Sequence, residues 1–385
     1  FDWLRRNEGN ENLNSNNINL EIHNPILSAL SETLKSNFKQ KYTKASLKKT
    51  KENTSNYKNL SFWSHGDVSF GRSGDTATTK PKEIRIAGFT VGVDKKLENN
   101  KFLGIALRYG QGDTENITGS GNKLSTDSLT LNLYSTLPVN NKSYFNTLLG
   151  FSFLKLDQIS NSNKVTGERN GNQLFTSINL QNINGYGDFN IRPTGSFEFG
   201  LTNFSSYTDF NTSNQDVYDN LSFSTGNVSA GLKFDNLIER EESIFSRHGT
   251  IQYVQDLSSD IDYKITNHTN RITETNTVET HSLHNIKANF GFETLFKSGR
   301  TFALNYERFQ GLDDSSHQHS LFFKFGYLRE DKTDFAFSFD PLINNTANLS
   351  YLKHYNYFDL KIDSNYSLMD ENPDYGLNFQ LSNTF

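Results

Sequence analysis

From Ser61 to the C-terminus the chain alternates between apolar and polar residues with a period of two. Leu103, Ile105, Leu107 and Tyr109 interleave with Gly104, Ala106, Arg108 and Gly110. Leu129, Leu131, Leu133 and Leu137 interleave with Ser128, Thr130, Asn132 and Thr136. The same build recurs in Phe197, Phe199 and Leu201 against Ser196, Glu198 and Gly200, and in Ile286, Ala288, Phe290 and Phe292 against Lys287, Asn289, Gly291 and Glu293. Phe302, Leu304 and Tyr306 against Asn305 and Glu307 repeat it, as do Leu321, Phe323, Phe325 and Tyr327 against Ser320, Lys324 and Gly326. Successive side chains of a strand point to opposite faces, so each stretch predicts a strand with one greasy face and one wet one. The last stretch, Asp374 to Phe385, sets Leu377, Phe379, Leu381 and the terminal Phe385 against Gly376, Asn378, Gln380, Ser382 and Thr384, with Asn383 as the polar break. A slip of one residue would put Glu293 or Lys324 on the greasy face. In hydrocarbon that costs roughly 2–4 kcal/mol for the base and less for Glu, so register is well specified. The pattern predicts an all-β chain folded as a transmembrane antiparallel up-and-down β-barrel, with lipid outside and a polar lumen inside. A soluble sandwich would also alternate, but would rarely need so many long strands of this kind.

The connections alternate in length. Gly71–Glu83, Gly112–Lys123, Ser160–Asn172, Tyr207–Asn220 and Asn267–Glu279 are long and polar; Lys95–Lys101, Pro138–Lys142, Asn184–Asp188 and Lys297–Arg300 are short. Long loops on one rim and short turns on the other suit an outer-membrane barrel. Asn236–Arg247 is longer than the pattern wants.

Ahead of the strands the period changes. Asn24 is a good helix N-cap and Pro25 suits the first helical position. Ile26, Leu27, Leu30, Leu34, Phe38 and Tyr42 then form one apolar stripe. The rest of this helix, within Asn24–Asn59, is basic: Lys35, Lys39, Lys41, Lys44, Lys48, Lys49 and Lys51 answer only Glu32 and Glu52. The charge pattern alone fits a helix on a surface, a solvated basic linker, or a helix threaded through an acidic pore. Phe1–His23 is polar and Asn-rich, and the alternation of Ile18, Leu20 and Ile22 fits one strand or a last solenoid rung.

Composition sharpens this. Only 34% of the 385 residues are hydrophobic, yet 13% are aromatic. No run approaches the roughly 18 apolar residues of a membrane helix. A barrel tolerates this polarity because only alternate residues meet lipid, and its aromatics gather in interfacial girdles. Cysteine is absent, which excludes disulfides and thiolate metal sites. A net charge of −5 gives no footprint for nucleic acid. The chain opens on Phe1 without a signal peptide and is expected to be a piece of a longer precursor.

Phe62-Trp63-Ser64-His65-Gly66 followed by Val68-Ser69-Phe70-Gly71 resembles the first strand of an autotransporter β-domain, the translocator of type V secretion. Gly88-Phe89-Thr90-Val91-Gly92-Val93-Asp94 resembles its second strand and Leu103–Gly110 its third, and the resemblance runs from about Ser61 to Leu328. It implies a twelve-stranded barrel in the outer membrane of a Gram-negative bacterium, with a lumen helix joined to an upstream passenger carried to the cell surface. Four regions follow: 1–23 as passenger remnant, 24–60 as linker helix threading the pore, 61–328 as family-like barrel, and 329–385 as extra barrel strands. On this reading Lys35, Lys39, Lys44 and Lys48 of the lumen helix face lumen carboxylates such as Glu198, Glu293 and Glu307. Gly376, Leu377, Phe379 and Phe385 resemble the signal read by the barrel-assembly machinery. The remaining partners are outer-membrane lipid and the passenger of the same precursor. The departure is that the family's twelfth strand usually ends the protein. Here Thr333–Phe339, Thr346–Lys353, Tyr357–Ser364 and Tyr375–Phe385 are four more strand candidates. With the assembly signal expected at the true C-terminus, sixteen strands are favoured over twelve with an appended hairpin pair. The alternative function is a diffusion porin plugged by the N-terminal helix; an adhesin built on the loops has little support, since they carry few aromatics.

Catalytic chemistry is not expected, nor a cofactor or metal. Gly71-Arg72-Ser73-Gly74-Asp75 lacks the spacing of a nucleophile elbow. His317 and His319, near Asp313 and Asp314, lack a third histidine. Asp256, Asp260 and Asp262 lack calcium-loop spacing, and Gly110-Gln111-Gly112 is half a nucleotide fingerprint. Asn16-Asn17 resembles the Asn pair at which some autotransporters cut themselves, but it precedes the helix, so an uncleaved passenger is the expectation.

Overall fold

The structure is a computed structural model. It describes residues 60–73, 82–97, 101–116, 123–140, 143–159, 165–182, 189–210, 216–267, 271–278, 283–313, 317–328, 333–340, 346–368 and 374–384. The predicted helix and its lysines Lys35, Lys39, Lys44 and Lys48, the segment Phe1–His23 and the terminal Phe385 lie outside the described residues.

In chain order the strands are β1 (Leu60–Ser73), β2 (Lys82–Lys96), β3 (Phe102–Asn116), β4 (Lys123–Asn140), β5 (Ser143–Ile159), β6 (Val165–Asn182), β7 (Asn190–Phe204), β8 (Tyr207–Asp209), β9 (Asp216–Tyr218) and β10 (Leu221–Glu239). They continue with β11 (Ser243–Asp256), β12 (Ile261–Asn267), β13 (Thr273–Val278), β14 (His284–Phe296), β15 (Arg300–Gly311), β16 (His317–Leu328), β17 (Asp334–Asp340), β18 (Thr346–His354), β19 (Asp359–Ser367) and β20 (Tyr375–Thr384). All but β8, β9, β12 and β13 form one closed antiparallel barrel of sixteen strands in which neighbours in the wall are neighbours in the chain. β20 returns to β1 and closes it, from Trp63 opposite Thr384 to Arg72 opposite Tyr375. The four strands after Leu328 therefore belong to the wall, as favoured from the sequence.

Register carries the alternation around the barrel. Leu131 lies opposite Leu107 on one side and Phe151 on the other. All three are exposed, as are Leu103, Ile105, Phe325 and Leu381, whereas Ala106, Arg108, Thr130 and Asn132 are buried. Greasy residues therefore stud the outside and the wet face lines the lumen. Both chain ends of the barrel, Leu60 and Thr384, lie on the rim of the short turns. In one of these turns Gly299 holds a φ of 82° while its amide donates to Phe296 O at 2.9 Å, a conformation with a Cβ penalty for other residues.

Several expected loops are strand. β3 runs through Gly112 to Asn116, and β6 begins at Val165 inside the stretch read as Ser160–Asn172. These strand ends rise beyond the apolar belt, so they lack greasy alternation and their ladder bonds alone extend them. The long turn expected at Asn236–Arg247 shrinks to residues 240–242, closed by Arg240 N donating to Ser243 O at 2.8 Å. The stretches Tyr207–Asn220 and Asn267–Glu279 supply parts of a second, four-stranded sheet ordered β13-β12-β9-β8 on the rim opposite the chain ends. Its core joins Tyr207, Tyr218, Tyr263 and Ile265 to the inward residues Leu154, Phe204 and Leu221 of the wall. The Tyr207 and Tyr218 rings stack at 4.6 Å. Arg169 lies 5.5 Å from the rings of both Phe204 and Tyr207 and donates to Ser205 O at 2.6 Å and Asp219 O at 2.7 Å. This sheet thus folds inward onto the lining instead of standing clear of the mouth.

Candidate functional site in the barrel lumen

The inward phase of each strand is what anything passing through the barrel would meet. On β1 to β6 that phase is densely packed. Arg108 on β3 donates to both carboxylate oxygens of Asp67 on β1, at 2.7 and 3.0 Å, and to Thr90 Oγ1 on the strand between at 3.1 Å. Gly88 makes room for it: a Cβ there would sit 2.1 Å from the guanidinium. His65 Nε2 lies 3.8 Å from the same aspartate. Nearer the chain-end rim, Trp63 Nε1 donates to Tyr134 OH at 2.8 Å and to Asp94 Oδ1 at 3.2 Å, and Tyr134 OH donates to Asp94. Trp63 lies over Gly92, and Phe175 over Gly150, where a Cβ would come within 2.3 and 2.1 Å of the rings. Trp63, Ala106, Tyr134, Leu148 and Phe175 form one buried cluster inside the barrel. Polar rungs accompany it: Thr130 with Ser152 at 2.8 Å and Gln173 to Thr202 at 2.9 Å.

The opposite side of the lining is more open. Inward positions on β14 to β20 such as Asn289, Asn305, Ser338, Asn348 and Asn378 are half-buried, and Asn365 is exposed. His248 and Asn305 bond at 2.8 Å, and Asp363 is held by Lys361 at 3.0 Å and Ser350 at 2.7 Å.

Of the residues singled out from the sequence, Glu198, Glu293 and Glu307 all take the inward phase, on β7, β14 and β15. Glu307 accepts from Asn289 at 2.8 Å and Glu198 from Asn227 at 3.4 Å. Among the described residues none of the three pairs with a cation. They stand at different heights and do not form one cluster. Gly376, Leu377 and Phe379 lie in the closing strand, opposite Gly71, Phe70 and Val68. A Cβ on Gly71 would sit 2.4 Å from Tyr375 O, and the Phe70 and Phe379 rings are 6.5 Å apart. Sequence reasoning missed the buried ion pairs, Arg108 with Asp67 and Arg192 with Asp235. Opposite charges in the inward phase of nearby strands were the available signal, but matching them needs register. Bases also share the lining: Lys233, Lys287 and Lys324 are inward.

The model of the family described as autotransporter beta-domain matches residues 62–307, well over half of the chain. The chain belongs to that family. It is an outer-membrane barrel of the translocator or channel kind. The match ends within β15, so the last five strands of this autotransporter barrel lie beyond it. Among solved structures it is similar to the translocator domain of autotransporter NalP from Neisseria meningitidis, at 11% identity over 92% of this chain and 98% of that one, with a TM-score of 0.42. It is also similar to the toluene transporter TodX of P. putida, at 10% identity over 85% and 90% with a TM-score of 0.42. The transport unit of AIDA-I from Escherichia coli matches at 11% identity over 87% and 92%, with a TM-score of 0.33. Likeness at this level identifies neither cargo nor mechanism. Among curated proteins nothing matches.

Proposed function

We propose that this autotransporter β-domain exports and anchors a passenger that precedes it in the same precursor. The observation that carries the reading is the family match over residues 62–307. The lining supports it. Glu198, Glu293 and Glu307 turn carboxylates inward without a cationic partner among the described residues, while Lys35, Lys39, Lys44 and Lys48 precede β1 in the chain. A basic helix over 24–60 drawn into the bore would neutralise them, and oppositely charged groups attract more strongly where solvent is restricted. The partners are then the passenger, the barrel-assembly machinery acting on the closing strand, and outer-membrane lipid on the greasy face. A reporter fused ahead of Asn24 is expected to be cleaved by protease added to intact cells; a reporter that stays protected in the periplasm overturns the reading.

A diffusion porin is the second reading. Sixteen strands is the size at which barrels leave an aqueous channel, and the half-buried lining of β14 to β20 favours it. Conductance decides: a porin conducts freely with residues 24–59 present, whereas a plugged translocator opens only when they are deleted.

A further inference from the structure

The outer face carries a second chemistry just above the greasy belt. On β16 the outward phase reads Tyr327, Phe325, Phe323 and Leu321, then changes to His319 and His317. On β15 it reads Phe302, Leu304 and Tyr306, then Arg308 and Gln310. Arg308 faces His319 and Gln310 faces His317 across the ladder, so the change falls at one height on both strands. That height is on the side of the rim sheet, away from the chain ends. The side chains are organised. Tyr306 OH and His319 Nδ1 lie at hydrogen-bond distance, 2.8 Å; with the hydroxyl donating, the ring carries its proton on Nε2 and offers it as a donor. The His317 and His319 rings meet edge-on at 5.4 Å. Arg308 is exposed and donates to Gln310 Oε1 at 2.7 Å; no carboxylate pairs it among the described residues. One strand further, His284 bonds Tyr253, and its backbone amide donates to Asp313 Oδ2 at 2.8 Å.

From this placement we infer that Arg308, His317 and His319 form a docking site for the phosphate headgroup of an outer-leaflet glycolipid. Directly opposed residues hold their Cβ atoms about 5 Å apart and diagonal ones about 7–8 Å, so one tetrahedral anion spans the three donors. Guanidinium binds phosphate through two parallel bonds. The source is a lipid because Tyr306, Leu321, Phe323 and Phe325 lie immediately below, in the same outward phase, where acyl chains run. A free anion would have no use for that floor.

The test uses the intact protein in detergent micelles and native mass spectrometry with bisphosphorylated lipid A, its dephosphorylated form, and inorganic phosphate. Retention of the bisphosphorylated lipid is expected to fall about tenfold in Arg308→Gln combined with His319→Asn, the size of one charge-assisted bond or slightly more. Arg247→Gln, an outward base of the lower belt bonded to Asn236, is expected to leave retention unchanged. Heat-modified gel mobility verifies that each variant is a closed barrel. Equal retention by the double variant overturns the inference, and so does equal loss in Arg247→Gln. So does equal retention of dephosphorylated lipid, or displacement of the lipid by millimolar inorganic phosphate.

Discussion

Asp67 and Arg108 offer the sharpest test of how the lining is held. Both are buried, with 9% and 4% of their surface exposed, and the two bonds between them are parallel and short. Asp67→Asn keeps the shape and removes the charge. The guanidinium then faces a neutral amide while still shielded from water. Breaking a buried pair from one side costs about 3–5 kcal/mol. The asparagine retains one acceptor oxygen and Thr90 stays in place, so the low end, about 3 kcal/mol, is expected. Arg108→Gln, which strands the carboxylate, is expected to cost a similar amount. With both charges gone no ion is left unpaired, so the double variant is expected to cost about the same as either single one, a coupling of about 2–3 kcal/mol. Urea unfolding of the barrel refolded into lipid, followed by fluorescence of Trp63 on the same strand, reads each cost. Asp67→Asn costing less than about 1 kcal/mol, or a double variant equal to the sum of the singles, would refute the reasoning.

Two further outcomes follow from the faces and the rim. Leu131 is 49% exposed between Leu107 and Phe151; Leu131→Arg is expected to destabilise by roughly 2–4 kcal/mol near the bilayer midplane, while Asn348→Arg in the lumen changes stability by under about 1 kcal/mol, and the reverse order in urea unfolding would mean the faces are inverted. Arg169→Met removes the guanidinium between Phe204 and Tyr207 and two bonds to backbone carbonyls, so amide exchange in β8 and β9 is expected to speed up with the barrel ladders unaffected; unchanged exchange there would mean the sheet is held by its apolar contacts alone.

The wall was legible because lipid imposes a rule on every outward position. Leu103, Ile105 and Leu107 had to share a face, and they do. The same rule located β17 to β20 beyond the family match, since hydrocarbon treats Phe335, Phe337 and Phe379 no differently from Leu131. Above the belt the rule lapses. Nothing in Gly112-Asp113-Thr114 distinguishes a solvated loop from a strand end, and only pairing with Ile86, Arg85 and Ile84 extends β3 there. The rim sheet was hidden for a different reason. Tyr218 and Tyr263 belong to loops far apart in sequence, and their shared core with Leu154 exists only once the barrel has brought the loops together. Inside, the inward phase of Arg108 was readable, but its partner Asp67 lies two strands away and needed the register.

The added strands also bear on where a bore can lie. Barrel diameter grows roughly in proportion to strand number, so sixteen strands make a wall about a third wider than twelve. That width is either filled or left to water. On β1 to β6 it is filled: Trp63, Arg108, Tyr134, Leu148, Gln173 and Phe175 project inward and are buried. On β17 to β20 most inward residues are small or short, Ala336, Ser338, Asn348, Ser350, Gly376 and Asn378 among them, with Leu352, Lys361 and Gln380 among the longer exceptions. Free space therefore lies off-centre, toward the strands beyond the family match, with Glu293 and Glu307 on its border. Bulk added at Ser350 or Asn378 should then restrict passage with little effect on stability, whereas bulk added at Gly92 or Gly150 must displace Trp63 or Phe175 and should loosen the packed wall first.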